Sequence, residues 1–263
     1  MRVSEKLLRK SFMTDLKSAS GSVPPVRRTW DFWETTLVAL IADGAFVLTG
    51  GIVVSIILAV NAGLKTPAPG ELHALASQGR WYGVAIISGT PPAIAVLWIA
   101  IRMAGREFSE YLALNWPTGG EIVRALAITT IFLSIEGFVL SKMGAGGGGY
   151  QPDPMLVVGG AAGLLAWLIG GCIAGPLVEE FVVRGFLFRG WSQSSLGPIG
   201  AIVLTSAVWA MNHTQYDWFG RLLIFAFGLV LGYIRWSGNS TWPTVVAHSA
   251  CNTFILFTLG RYV

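Results

Sequence analysis

Two adjacent carboxylates and a guanidinium, in Glu179-Glu180-Phe181-Val182-Val183-Arg184, interrupt a stretch of chain that is otherwise apolar, entered through Ile173-Ala174-Gly175-Pro176-Leu177-Val178. An ionisable side chain inside an apolar membrane helix costs at least about 2.5 kcal/mol on insertion scales, so each of these three calls for a reason. Glu180 and Arg184 stand four apart and share a helical face, where a charge-assisted pair can form. Glu179 then points about 100° away. This spacing suggests a division of labour in which the paired carboxylate is structural and its neighbour is left for proton chemistry. The plainer alternative is that both carboxylates only pair or cap within a bundle.

The histidines weigh against that alternative. Of the three in the chain, His213 ends the apolar run Ala207-Val208-Trp209-Ala210-Met211-Asn212-His213, and His248 stands four before Asn252 in the last apolar run. His248 and Asn252 therefore share a face. Imidazole is a base or donor near neutral pH and an asparagine amide can donate to an oxyanion, so with the two glutamates the set contains the parts of a water-activating hydrolase. His73, in the polar stretch Gly70-Glu71-Leu72-His73, reads as a solvated residue.

Helices must position these groups. Of the 263 residues, 53% are hydrophobic and 12% charged, about half the charge of an ordinary soluble domain. Apolar stretches at about 35–62, 82–103, 121–142, 156–190, 198–213, 220–236 and 241–259 are each read as a membrane helix or most of one. The fold class expected is all-α, a polytopic transmembrane bundle of about 7–8 helices. The count reaches eight if the 156–190 stretch, about 50 Å long as one helix, divides at Gly175-Pro176, where proline is expected at least to kink it.

Residues 1–30 form a basic arm holding seven of the eighteen basic residues, Arg2, Lys6, Arg9, Lys10, Lys17, Arg27 and Arg28. A basic arm before a first span places the amino terminus in the cytoplasm. Leu7, Leu8, Phe12 and Leu16 recur at helical spacing there and suit an interfacial helix. No short apolar core with a cleavage site follows the arm, so the first span is expected to stay. Residues 31–263 are read as one helical membrane domain, with the chemistry concentrated in 170–258. The net charge of +4 is not arranged as a groove interleaved with aromatics, and nucleic-acid binding is not expected. Cys172 and Cys251 lie in apolar runs and suggest neither a disulfide framework nor a zinc knuckle.

Glu179-Glu180 with Arg184, an aromatic residue four before His213, and His248 with Asn252 resemble, in order, the three signature motifs of the CAAX-protease and bacteriocin-processing family. That family includes the type II CAAX prenyl endopeptidases. The second motif usually carries Phe where this chain has Trp209. The stretch Gly228-Leu229-Val230-Leu231-Gly232-Tyr233 also resembles bacterial members. The resemblance covers about a third of the chain and implies an intramembrane peptidase of a bacterial inner membrane, acting on a membrane-associated peptide without a cofactor. It implies that Glu179 and His213 activate a water, His248 and Asn252 stabilise the oxyanion, and Glu180 and Arg184 orient the site.

Three other readings use the same residues. Glu179, His213 and His248 are also a zinc-type donor set, although no His-Glu-x-x-His helix is present. A bacteriocin-immunity or scaffold protein would keep the motifs without turnover. A transporter would use Glu179, Glu180 and Arg184 as an ion relay, but only one helix break, at 175–176, stands out, and it has no counterpart in the first half. Counting about 1.5 Å per residue from assumed cytoplasmic ends sets Glu179 and Asn252 about 13 to 15 Å deep, His248 shallower and His213 about 22 Å deep. Linear counting alone does not bring the set to one level.

Overall fold

The computed structural model describes residues 29–61, 79–143 and 160–259. Among these residues every regular element is a helix: α1 (Phe32–Asn61), α2 (Gly79–Met103), the single turn α3 (Phe108–Tyr111), α4 (Gly119–Met143), α5 (Gly160–Ser192), α6 (Gly197–Asn212), α7 (Trp218–Gly238) and α8 (Trp242–Leu259). Five of them, α1, α2, α4, α5 and α7, are long and apolar enough to cross a membrane, and α6 is a shorter apolar helix. The protein is an all-α integral membrane protein. The basic arm up to Arg28, His73 and the glycine-rich run from Gly144 lie outside the described residues.

Local chemistry sets the helix ends. Asp31 and Glu34 cap α1 reciprocally, each side chain accepting from the other's backbone N–H at 2.9 and 3.1 Å. Thr118 and Glu121 do the same for α4 at 3.3 and 2.7 Å, so two donors that a helix start would orphan are satisfied at each site. Asp217 caps α7 by accepting from Gly220 N–H at 2.8 Å, and Asn239 ends that helix in the left-handed region. The α2–α5 seam is backbone against backbone. A methyl group added at Gly170 would meet the main chain of Gly83.

α5 does not divide at Gly175-Pro176, the condition under which the sequence reading reached eight helices. It runs unbroken from Gly160 to Ser192, and the eighth helix is instead the turn at Phe108–Tyr111. Around the proline the winding changes: Gly170–Ala174 is π-helical and Gly175 N–H reaches back five residues to Gly170 C=O, while Gly171 C=O, which the absent Pro176 N–H leaves open, accepts from Asn252. A second π-helical stretch spans Phe181–Leu187. Such stretches leave main-chain groups outside the regular α pattern and occur often at functional sites. Here they bracket Glu179-Glu180.

The segment between α2 and α4 folds inward. Tyr111 and Leu112 are fully buried, in one core cluster with Ala42, Leu97, Ile101, Phe181, Phe186 and Val245. Thr241 at the head of α8 donates from its backbone N–H to Ala113 C=O at 2.9 Å and from its hydroxyl to Leu112 C=O at 2.6 Å. The start of α8 is thereby seated below the end of α5. Glu180 lies twelve residues from Ser192 and His248 six from Trp242, about 18 and 9 Å along their helices. Because these two side chains touch, α8 must begin about 9 Å deeper than α5 ends.

Charges cluster at the end of the bundle where α1 begins. Glu110 bridges Arg106 at 2.5 Å and Arg189 at 3.0 Å, and chiefly the Arg106 hydrogen bond holds its carboxyl below the usual range. Beside it, burial pushes the Tyr111 phenol up to about 12.

Candidate active site

Trp209, on α6, is the hub of the site. Its indole N–H donates to Glu179 Oε2 at 2.6 Å. The Arg184 guanidinium lies 4.4 Å from its ring centroid, and the imidazoles of His213 and His248 stand edge to face with it at 5.0 and 5.2 Å. One buried aromatic thus touches four groups from α5, α8 and the end of α6. Linear depth counting fails to align them because α8 starts deep, whereas Glu179 and Trp209 each lie about 18 to 20 Å from the same-end termini of α5 and α6.

Beneath Trp209 lies a closed ionic layer. Glu180 Oε1 accepts from Arg184 at 2.8 Å and meets His248 Nδ1 at 3.0 Å, and all three residues are buried. The i, i+4 pair expected from the sequence is present, and His248 joins it. Arg184 also donates to Gly228 C=O at 3.3 Å. At this point α7 packs closely on α6, where a methyl group at Gly228 would run into Ser206.

Glu179 and His213 form the open layer, both half-buried. His213 caps the end of α6 with φ −81° and ψ 64°, and its Nδ1 lies 2.8 Å from Trp209 C=O. A carbonyl only accepts, so Nδ1 carries the proton and Nε2 keeps its lone pair in the neutral ring. Facing the Glu180 carboxylate fixes His248 in the same sense.

Asn252 is directed elsewhere than its sequence neighbours suggest. Its Nδ2 donates to Gly171 C=O at 2.8 Å, in the first π-helical stretch. The second stretch is held similarly, for Arg235 Nε on α7 donates to Arg184 C=O at 3.0 Å. Arg235 lies in the last turn of α7 and is only 3% exposed.

Among the described residues no group of three or more His, Cys, Asp or Glu side chains is arranged to hold a metal ion. In the alternative set Glu179, His213 and His248, both imidazoles stand edge to face with Trp209 and face a protein oxygen through Nδ1, so Nε2 is the ring nitrogen each leaves to a ligand. Cys172 and Cys251 are free and buried.

Sequence reasoning missed the indole N–H of Trp209, the bracing role of Arg235, and Asp43 of α1, which accepts from Asn212 at 3.2 Å. The rule that flagged Glu179, that a charge inside an apolar span needs a reason, applies equally to Asp43.

A buried and a half-buried carboxylate, an arginine and two imidazoles that face protein oxygens through Nδ1 are thus gathered around Trp209 inside a helical membrane bundle. Residues 161–254, somewhat over a third of the chain, match the model of the type II CAAX prenyl endopeptidase Rce1-like family. The match spans Glu179, Glu180, Arg184, Trp209, His213, His248 and Asn252, and it points to a protease. No curated protein and no solved structure matches the chain.

Proposed function

We propose that the protein is an intramembrane endopeptidase in which Glu179 and His213 activate water against a peptide bond of a membrane-associated peptide or protein. The observation that carries this reading is the layered division of the two glutamates. Glu180 is sealed between Arg184 and His248, while Glu179 is half-buried and held by the hydrogen bond from Trp209. The sealed carboxylate is structural, and the open one is the base.

In this mechanism Glu179, oriented by Trp209, takes a proton from water, and His213 Nε2 accepts the second water proton as a hydrogen bond. The water oxygen bonds to the carbonyl carbon. Beside His248, the amide N–H that Asn252 does not spend on Gly171 C=O donates to the developing oxyanion. Glu179 then returns its proton to the amine nitrogen as the C–N bond breaks. No metal takes part.

We place the protein in a bacterial cytoplasmic membrane with its amino terminus inside. The cluster of Arg102, Arg106 and Arg189 at the end where α1 begins supports this orientation. The test compares membranes carrying wild-type and Glu179→Gln protein by quantitative peptide mass spectrometry. A cleavage product must vanish and its precursor accumulate in the variant, since Gln keeps size and hydrogen bonding but cannot take the proton. Undiminished cleavage by the purified variant ends the proposal. Turnover absent in both, with biological effect retained, supports an immunity or scaffold role instead.

A further inference from the structure

Asp43 is the sole charge of α1 beyond its first turn, twelve residues into a thirty-residue apolar span. A carboxylate so placed is disfavoured unless it is used. It lies outside residues 161–254, the segment matched by the family model, and none of the motifs includes it.

Its partner is the informative feature. Asn212 Nδ2 donates to Asp43 Oδ1 at 3.2 Å, and Asn212 is the last residue of α6, directly before His213. The chain leaves helical geometry at His213, whose backbone N–H makes only a three-residue link to Ala210 C=O at 3.2 Å. A helix end of this kind frays unless something outside holds it. From α7, Arg221 reaches the far part of the turn, donating to Tyr216 C=O at 3.0 Å and Thr214 C=O at 3.2 Å. From α1, Asp43 holds the near part. Its own backbone is well anchored, since the adjacent Ala42 is fully buried in the cluster that includes Phe181 and Phe186.

We infer that Asp43 is a positioning residue for the reaction, fixing the end of α6 through Asn212 so that His213 Nε2 is presented beside Glu179. The inference rests on the reading of His213 as part of the water-activating pair. The hydrogen bond carries the role and the charge does not. An acceptor at position 43 with a donor at 212, or the reverse arrangement, therefore suffices.

The experiment uses the full chain in lipid nanodiscs and three variants: Asp43→Ala, Asp43→Asn, and the exchange Asp43→Asn with Asn212→Asp. Two readouts need no turnover, namely amide hydrogen exchange over residues 209–217 and the imidazole ¹⁵N shifts of His213. A third is kcat and KM on the precursor peptide whose cleavage depends on Glu179. Asp43→Ala is expected to speed exchange at 210–214 at least fivefold with 222–236 unchanged, to shift the His213 ring nitrogens, and to lower kcat about tenfold with KM within twofold. Asp43→Asn and the exchanged pair are expected to stay within threefold of wild type in kcat. Unchanged exchange and ring shifts in Asp43→Ala overturn the inference. So does faster exchange with unaltered kcat, or an equal loss in Asp43→Ala and Asp43→Asn. If wild-type protein cleaves nothing, the protease reading fails by itself, and exchange with ring shifts still decides whether Asp43 holds His213.

Discussion

Replacing Trp209 with Phe isolates a single atom group at the centre of the site. Phe keeps an aromatic face beneath Arg184 and an edge toward His213 and His248, but it lacks the N–H that meets Glu179 Oε2 at 2.6 Å. A hydrogen bond to a charged acceptor contributes about 1.5 to 3 kcal/mol. If that energy is spent on orienting Glu179 in the transition state, its loss lowers kcat about 10- to 150-fold, at roughly 1.4 kcal/mol per tenfold, with little effect on KM. Trp209 is 5% exposed and packs with Phe227, so the smaller ring also costs about 1 to 2 kcal/mol of stability. The assay is turnover of the precursor peptide by protein in nanodiscs, paired with indole ¹⁵N–H spectra of wild type and Glu179→Gln. The Trp209 indole resonance must move when Glu179 is neutralised. An unmoved resonance together with unchanged kcat in Trp209→Phe would refute the reasoning, because the ring would then serve packing alone.

Arg184→Leu strands the Glu180 charge and is expected to destabilise the protein by about 3 to 5 kcal/mol, read as a loss of detergent thermal stability that Glu180→Gln in the same chain largely restores. Stripping with a strong chelator is expected to leave most activity, with well under one zinc per chain by elemental analysis; loss on chelation and recovery with stoichiometric zinc would make the enzyme a metalloprotease. Acidification is expected to weaken the end of the bundle where α1 begins. The Glu110 carboxyl is held below its ordinary range by Arg106, so its stabilisation is present above the unfolded-state value near 4.5 and is lost as pH falls through the lower folded value. Because Glu110 is 41% exposed, the effect is small and screened. A low-pH drop in melting temperature should shrink in Glu110→Gln.

What sequence could reveal depended on distance along the chain. The Glu180–Arg184 pair and the shared face of His248 and Asn252 are four-residue relations, which helical geometry fixes locally. The attachment of His248 to Glu180 crosses 68 positions and depends on how far α8 is let into the bundle. That depth is set by Thr241 seating on Ala113, and no periodicity encodes it. Pro176 was legible as a disturbance, but the donor that meets Gly171 C=O in its place, the Asn252 amide, comes from α8. Trp209 reads as a conservative exchange for Phe only while the indole N–H has no address. Asp43 was legible by the cost of its charge, though its purpose appears only when Asn212 is brought beside it.

The two π-helical stretches of α5 have a mechanical meaning beyond their hydrogen bonds. Each contains about one residue more than an α-helix of the same length would use, and so stores a rotation near 100° about the helix axis. Their carbonyls at Gly171 and Arg184 are held by Asn252 of α8 and Arg235 of α7. The compass bearing of Glu179 and Glu180, which lie between the stretches, is therefore set from outside their own helix. A displacement of α7 or α8 by a substrate would be transmitted as torque on the carboxylates, steering them toward or away from the water they must meet.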